Sequence, residues 1–248
     1  MLGLFAAAVL LTARTTFAAE EKKADVPPTA GEGWTVLFNG KDLTGWTLRE
    51  AKNTGTWKVT SSIALDAADP KSLTGAGDGG AADAALFRQP IKHGCDIFTE
   101  KAWGDCELHV EFIVPKGSNS GVYLMGQYEV QVMDSFGKEK VGPGDVGAIY
   151  NVKAPTENAA KAPGEWQSFD IVFRAPRFKD GKKVENALFV NVKLNGKTIH
   201  ENVEAPKPTG SQLPGGEKET GPLMFQGDHG IVAFRNVRVK PIALREPK

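Results

Sequence analysis

The chain has 248 residues, 30 basic and 30 acidic, with 28 glycines, 15 prolines and two cysteines. A formal charge of zero leaves no global field to draw nucleic acid or anionic lipid, so its expected partners are neutral molecules. The glycine and proline content calls for many turns, and no internal repeat or coiled-coil heptad runs through the sequence.

Leu2–Leu11 is an apolar run too short to span a bilayer, followed by small residues up to Ala19 and then by charge. That is the shape of a secretory signal peptide over residues 1–19, although Arg14 follows the apolar run instead of preceding it. Its removal takes Arg14 away and leaves 29 basic against 30 acidic residues, in a periplasmic or secreted protein. No later segment is apolar enough to cross a membrane, so no membrane span is expected. Residues 20–33 are polar and contain proline, which reads as a flexible linker. Residues 34–243 are expected to form one domain.

Asn39-Gly40 is a hairpin-turn signal after Thr35–Phe38. Trp57–Ser61 and Ile63–Leu65 suggest a short hairpin. Asp66–Gly94 is rich in Ala, Gly and Asp and is expected to be loose. Its Gly75-Ala-Gly-Asp-Gly-Gly80 has the spacing of a dinucleotide fingerprint but lacks the strand before and the helix after that such a site needs. Cys95 and Cys106 are open to two readings, one disulfide or two free thiols.

Asp96–Glu100 and Cys106–Phe112 read as strands. In the second, Leu108, Val110 and Phe112 point one way and Glu107, His109 and Glu111 the other. A Pro115-Lys-Gly-Ser turn leads to Gly121–Met125, expected as the adjacent strand, which would set His109 and Glu111 beside Tyr123. Next comes Tyr128–Met133, where Glu129 and Gln131 share a face. Such a face is either solvated or, with Tyr123 alongside, suited to holding a sugar. Gly137–Pro163 is a long connection containing Tyr150, a candidate for stacking on a sugar ring or for plain packing. Trp166–Arg174 is a strand with Phe169, Ile171 and Phe173 on one side and Asp170, Val172 and Arg174 on the other. Ala187–Leu194, Asn195-Gly196 and Lys197–His200 form the clearest hairpin signal. After a Pro/Gly loop over Glu204–Gly221, Pro222–Gln226 and Ile231–Val239 close the sheet, with His229 in a glycine-flanked turn between them.

Many short strands and no convincing helical period predict an all-β sandwich or barrel. No metalloprotease helix motif or phosphate loop is present, and Gly117-Ser-Asn-Ser-Gly121 carries Asn119 where a nucleophile elbow needs serine. What remains is carboxylate, histidine, tyrosine and amide groups on a β face, the groups of glycoside chemistry. Ordinary glycosidases need two carboxylates, and Gln131 stands where the second would be wanted.

Trp34-Thr-Val-Leu-Phe-Asn-Gly-Lys-Asp-Leu-Thr-Gly-Trp46, Asp105-Cys-Glu-Leu-His-Val-Glu-Phe112, Asn119-Ser-Gly-Val-Tyr123 and Tyr128-Glu-Val-Gln131 with Asp134-Ser-Phe-Gly137 follow one another in this order. Gly164-Glu-Trp166, Leu194-Asn-Gly196, Gln226-Gly-Asp-His-Gly230 and Phe234-Arg-Asn-Val237 come after them. Over roughly Gly33–Ile242 this order resembles the 3-keto-disaccharide hydrolase domain family. The resemblance implies a jelly-roll β-sandwich of the concanavalin A-like kind and a carbohydrate substrate, a 3-keto-glycoside or 3-keto-disaccharide. It also implies a hydrolase or lyase that removes the acidic C2 proton and eliminates at C1, with or without water addition. On that reading Glu129 or His229 is the base, and His109, Arg174 or a bound divalent metal polarises the ketone. Asn119, Tyr123, Gln131, Asp134, Tyr150 and Gln226 would hold the sugar. A non-catalytic carbohydrate-binding module and an ordinary glycoside hydrolase are the alternatives. No motif demands a cofactor or sets an oligomeric state.

Overall fold

The computed structural model describes residues 32–244, so the expected leader and nearly all of the linker lie outside the described residues. Within them the chain forms strands and no helix. The first strands are β1 (Thr35–Val36), β2 (Trp46–Leu48), β3 (Trp57–Thr60), β4 (Ser62–Leu65), β5 (Leu73–Ala76) and β6 (Ala85–Arg88). Then follow β7 (Ile97–Trp103), β8 (Cys106–Ile113), β9 (Asn119–Leu124), β10 (Tyr128–Met133) and β11 (Gln167–Arg174). The last are β12 (Arg177–Lys179), β13 (Lys182–Glu185), β14 (Ala187–Leu194), β15 (Lys197–Ala205), β16 (Gly221–Phe225) and β17 (Val232–Pro241).

Two antiparallel sheets pack as a jelly-roll sandwich. The larger has the order β15-β14-β11-β8-β17-β6-β3 with β1 beside β17, and the smaller has the order β10-β9-β16-β7-β2. The alternation in the sequence decides which side chains fill the space between them. Leu108, Val110 and Phe112 of β8, Phe169, Ile171 and Phe173 of β11, and Val122, Tyr128, Val130 and Val132 from the smaller sheet share one core. Phe225 of the smaller sheet stacks on Phe234 of the larger with ring centroids 3.9 Å apart, joining the two layers. Fully burying one such aromatic stabilises the fold by roughly 1.5–3 kcal/mol. At the β14–β15 turn, Asn195 and Gly196 both have positive φ, 53° and 80°, as a two-residue type I′ hairpin requires.

Four local expectations are corrected by long-range pairing. The Asn39-Gly40 signal makes no hairpin: Asn39 Oδ1 accepts the Lys41 and Asp42 amides in a capped loop, and β1 pairs with β17. β3 and β4 do not pair with each other; they pair with β6 and β5. Asp66–Gly94 is not loose. It supplies β6, whose Leu86 enters the main core while Ala85 and Phe87 face a second cluster with Leu73, Ile113 and Ala233. Finally, β8 and β9 are successive in sequence but lie in different sheets, so the Pro115–Ser118 turn carries the chain across the sandwich.

Candidate active site

The face of the smaller sheet turned away from the core is built in rows, because paired residues on antiparallel strands point to the same side. Glu129 of β10 stands opposite Tyr123 of β9, and Tyr123 opposite Met224 of β16. The next row sets Gln131 opposite Gly121. Past the strand ends, Gln226 joins this row through its amide bond to the Gly121 carbonyl, and the Arg49 amide bonds the Asp96 carbonyl. Gly121 is the missing side chain in the middle. A Cβ there would sit 2.3 Å from Glu129 Oε1 and 2.8 Å from Tyr123 Cε2, so the carboxylate occupies the space the glycine vacates. A glycine inside a strand marks such a close approach.

The Tyr123 hydroxyl donates to Glu129 Oε2 at 2.8 Å, and Gln226 Nε2 lies 3.5 Å from the same hydroxyl. Glu129 is only 3 % exposed and Tyr123 is fully buried. Burial pushes the Glu129 carboxyl up to about 7, against the Tyr123 hydrogen bond and the positive charge of His229, while Asp96 and Asp228 push it further up. Burial, with the Glu129 charge, also holds the Tyr123 phenol far above its ordinary range. Gln131 is buried; its Nε2 donates to the Gly144 carbonyl at 3.2 Å, and its Oε1 meets no partner among the described residues. Asn119 Oδ1 is likewise buried without a partner among them.

Two loops frame this face. The long connection after β10 runs back along that strand's free edge. Its Gly147 amide donates to the Gln131 carbonyl, its Ala148 carbonyl accepts the Gln131 amide, and the Tyr150 amide bonds the Glu129 carbonyl. Tyr150 therefore points to the Glu129 side, by the same pairing rule. The Pro/Gly loop after β15 is tied down on both sides. Thr209 Oγ1 accepts the Glu129 amide at 2.9 Å, and Arg49 donates to the carbonyls of Ser211 and Gln212 at 2.9 and 3.1 Å.

After β16 the chain makes the turn that carries Asp228 and His229. Both side chains are about half exposed, and His229 Nδ1 is hydrogen-bonded to Asp228 Oδ1. The turn is held against this face: the Gly227 amide donates to Asp96 Oδ1, and a Cβ on Gly230 would lie 2.6 Å from the Asn119 carbonyl oxygen. Asp96, also on this face, is buried, and burial pushes its carboxyl up. Both of its oxygens are engaged: Oδ1 accepts the Gly227 amide at 2.9 Å and Oδ2 accepts from Arg49 at 2.9 Å.

Glu129, Tyr123, Gln131, Gln226, Asn119, Tyr150 and His229 are therefore brought to one side of the smaller sheet. His109 and Arg174 are not; both lie in the larger sheet, on β8 and β11. His109 Nδ1 is bound to Asp170 at 2.6 Å, and Arg174 pairs with Glu185 at 2.7 Å. The expected place of His109 beside Tyr123 assumed that β8 and β9 share a sheet. Asp134 is a turn carboxylate whose Oδ2 accepts the Gly117 amide at 2.9 Å. Among the described residues no three His, Cys, Asp or Glu side chains group as a metal site, so the divalent ion has no ligand set here and enters no step below. Sequence reasoning missed Asp96, Arg49 and Arg88. Asp228 was visible inside the Gln226–Gly230 motif, but Arg88 lay in the stretch read as loose. Cys95 and Cys106 are free and buried, which settles the open question of a disulfide.

The model of the 3-keto-alpha-glucoside-1,2-lyase-like domain matches residues 33–240. A curated relative, the 3-keto-disaccharide hydrolase of Bacteroides thetaiotaomicron, is 27 % identical over 86 % of this chain and 80 % of its own length. A crystal structure of a candidate glycosyl hydrolase from Parabacteroides distasonis is 28 % identical, covers 85 % of this chain and 84 % of that one, and superposes with a TM-score of 0.63. A second candidate glycosyl hydrolase from that organism, 22 % identical over 86 % and 95 % of the two chains, shares the fold with a TM-score of 0.57.

Proposed function

We propose that this chain, which belongs to the 3-keto-alpha-glucoside-1,2-lyase-like domain family, cleaves the glycosidic bond of 3-keto sugars by C2 deprotonation and β-elimination. The reading is supported above all by the Glu129 carboxyl, buried against Tyr123 and held near 7. A base is most effective when its pKa lies near the working pH. Glu129 takes the C2 proton, made acidic by the C3 ketone. The electron pair left at C2 forms the C1–C2 double bond as the C1–O bond breaks, and His229 gives a proton to the departing oxygen. Addition of water at C1 and return of a proton to C2 make the net reaction a hydrolysis. The Gln226 amide, with a second N–H besides the one directed at the Tyr123 hydroxyl, is the donor for the developing enolate oxygen.

An ordinary two-carboxylate glycosidase is less well supported. Asp96 is a candidate for a second acid on this face, but both its oxygens are already bound. The deciding experiment is incubation with a 3-keto-disaccharide and with its unoxidised parent in deuterated water. The expected result is cleavage of the keto sugar alone, with deuterium entering at C2. Cleavage of the parent without C2 exchange would mark an ordinary hydrolase, and saturable binding without turnover a binding module. The leader-like sequence at residues 1–19 supports export, and N-terminal sequencing of the native protein is expected to begin near Glu20.

A further inference from the structure

The peptide of Gly227 is held from both sides by buried charge. Its amide donates to Asp96 Oδ1 at 2.9 Å, and its carbonyl accepts from Arg88 Nε at 2.8 Å. Arg88 is 6 % exposed and Asp96 3 %. Arg88 comes from the end of β6 in the larger sheet and Asp96 from the start of β7 in the smaller, so the turn is gripped across the sandwich. The fit leaves no room for side chains. A Cβ on Gly227 would lie 2.1 Å from the Cys95 carbonyl oxygen, and one on Gly94 would lie 1.9 Å from the Gly227 carbonyl oxygen. Arg49 completes the frame by binding the other oxygen of Asp96. Burial pulls the Arg88 guanidinium below its ordinary range, and the negative charge of Asp228 opposes that shift.

Burying two charges has a desolvation cost, and a turn needs none to be stable. What this arrangement accomplishes is to fix the backbone from which two half-exposed side chains, Asp228 and His229, project. Asp228 Oδ1 accepts from His229 Nδ1, so the imidazolium keeps its Nδ1 proton on Asp228 and offers its Nε2 proton outward, and the neutral imidazole left after that proton is given up is the Nδ1–H form. We propose that Arg88 and Asp96 are positioning residues that clamp the Gly227 peptide, so that Asp228 presents His229 to the substrate through Nε2. The proposal rests on the reading of His229 as the acid at the leaving oxygen.

Histidine-selective nitrogen NMR tests it without turnover. The chain has four histidines, and His229→Gln identifies the signal of interest. The neutral His229 is expected as the Nδ1–H form, and Arg88→Met is expected to shift it toward the Nε2–H form usual for exposed imidazoles. In Arg88→Met and Asp96→Asn, kcat on a 3-keto-disaccharide is expected to fall at least tenfold, with KM altered less than threefold. Should Arg88→Met fail to fold, the tautomer in the unaltered protein and the kinetics of Asp96→Asn still decide. An Nε2–H form in the unaltered protein would overturn the proposal. So would folded variants with unchanged His229 signals and unchanged kcat. Absence of any turnover by the unaltered protein would strike at the proposed function and leave the tautomer result to judge the clamp.

Discussion

The Tyr123 hydroxyl donates to the Glu129 carboxylate at 2.8 Å, between directly opposed residues of β9 and β10. Because burial holds that carboxyl near 7, its ionised form rises only as pH passes through neutrality. Turnover of a 3-keto-glycoside is expected to rise through about pH 7, and Glu129→Gln to reduce it by roughly 10²-fold or more. The stability effect has the opposite sign. The carboxyl ionises near its ordinary value in the unfolded chain but only near 7 in the fold, so stability is lost as pH rises between them. Glu129→Gln should therefore be more stable than the unaltered protein at pH 8 and melt higher, by at most about 3.5 kcal/mol for a rise from 4.5 to about 7 at about 1.4 kcal/mol per pH unit. A flat pH–rate profile, or equal melting at pH 8, would count against a raised carboxyl.

Gly121→Ala tests the space beneath the carboxylate. Its Cβ would meet Glu129 Oε1 at 2.3 Å and Tyr123 Cε2 at 2.8 Å, so the carboxylate must move. The expected result is a destabilisation of about 1–3 kcal/mol, as for other overpacked sites, and a loss of turnover larger than the loss of folded protein. Denaturant unfolding beside kinetics on the folded fraction separates the two effects.

On the opposite sheet, burial pushes the His109 imidazole down, but its hydrogen bond to Asp170 and the Glu111 carboxylate 3.9 Å from its Nε2 outweigh this and leave it above the ordinary histidine value. A histidine raised in the fold adds stability that is complete below its unfolded pKa and is lost as pH rises through the folded one. Asp170→Asn should therefore cost most stability below about pH 6.5 and little at pH 9. Turnover per folded molecule should stay normal, because His109 and Asp170 lie on the other layer. A pH-independent stability change would show that the pair does not titrate as described.

Cys95 and Cys106 are buried free thiols, and burial pushes Cys106 up to about 12, with Asp105 and Glu107 adding to the shift. Thiol titration without reductant should find both only after unfolding, and the melting temperature should not respond to reductant. A single disulfide recovered by mass spectrometry would contradict this.

The sequence by itself determined the longer strands and their faces, though not β5, β6, β12 or β13. The alternation in β8, β10 and β11, the Asn195-Gly196 turn, and Glu129 and Gln131 as one face with Tyr123 were all legible, because side-chain direction in a strand is a local, period-two property. Which sheet each strand joins was decided only by the tertiary structure. An apolar face can bury itself against either layer, so nothing within β8 could show that His109 would stand apart from Tyr123. The clamp on Gly227 was hidden for the same reason. Arg88 meets the Gly227 carbonyl across 139 residues of sequence and Asp96 meets its amide across 131. Such contacts follow from the crossing of strands between sheets, a non-local outcome of packing that no local pattern around Arg88 announces.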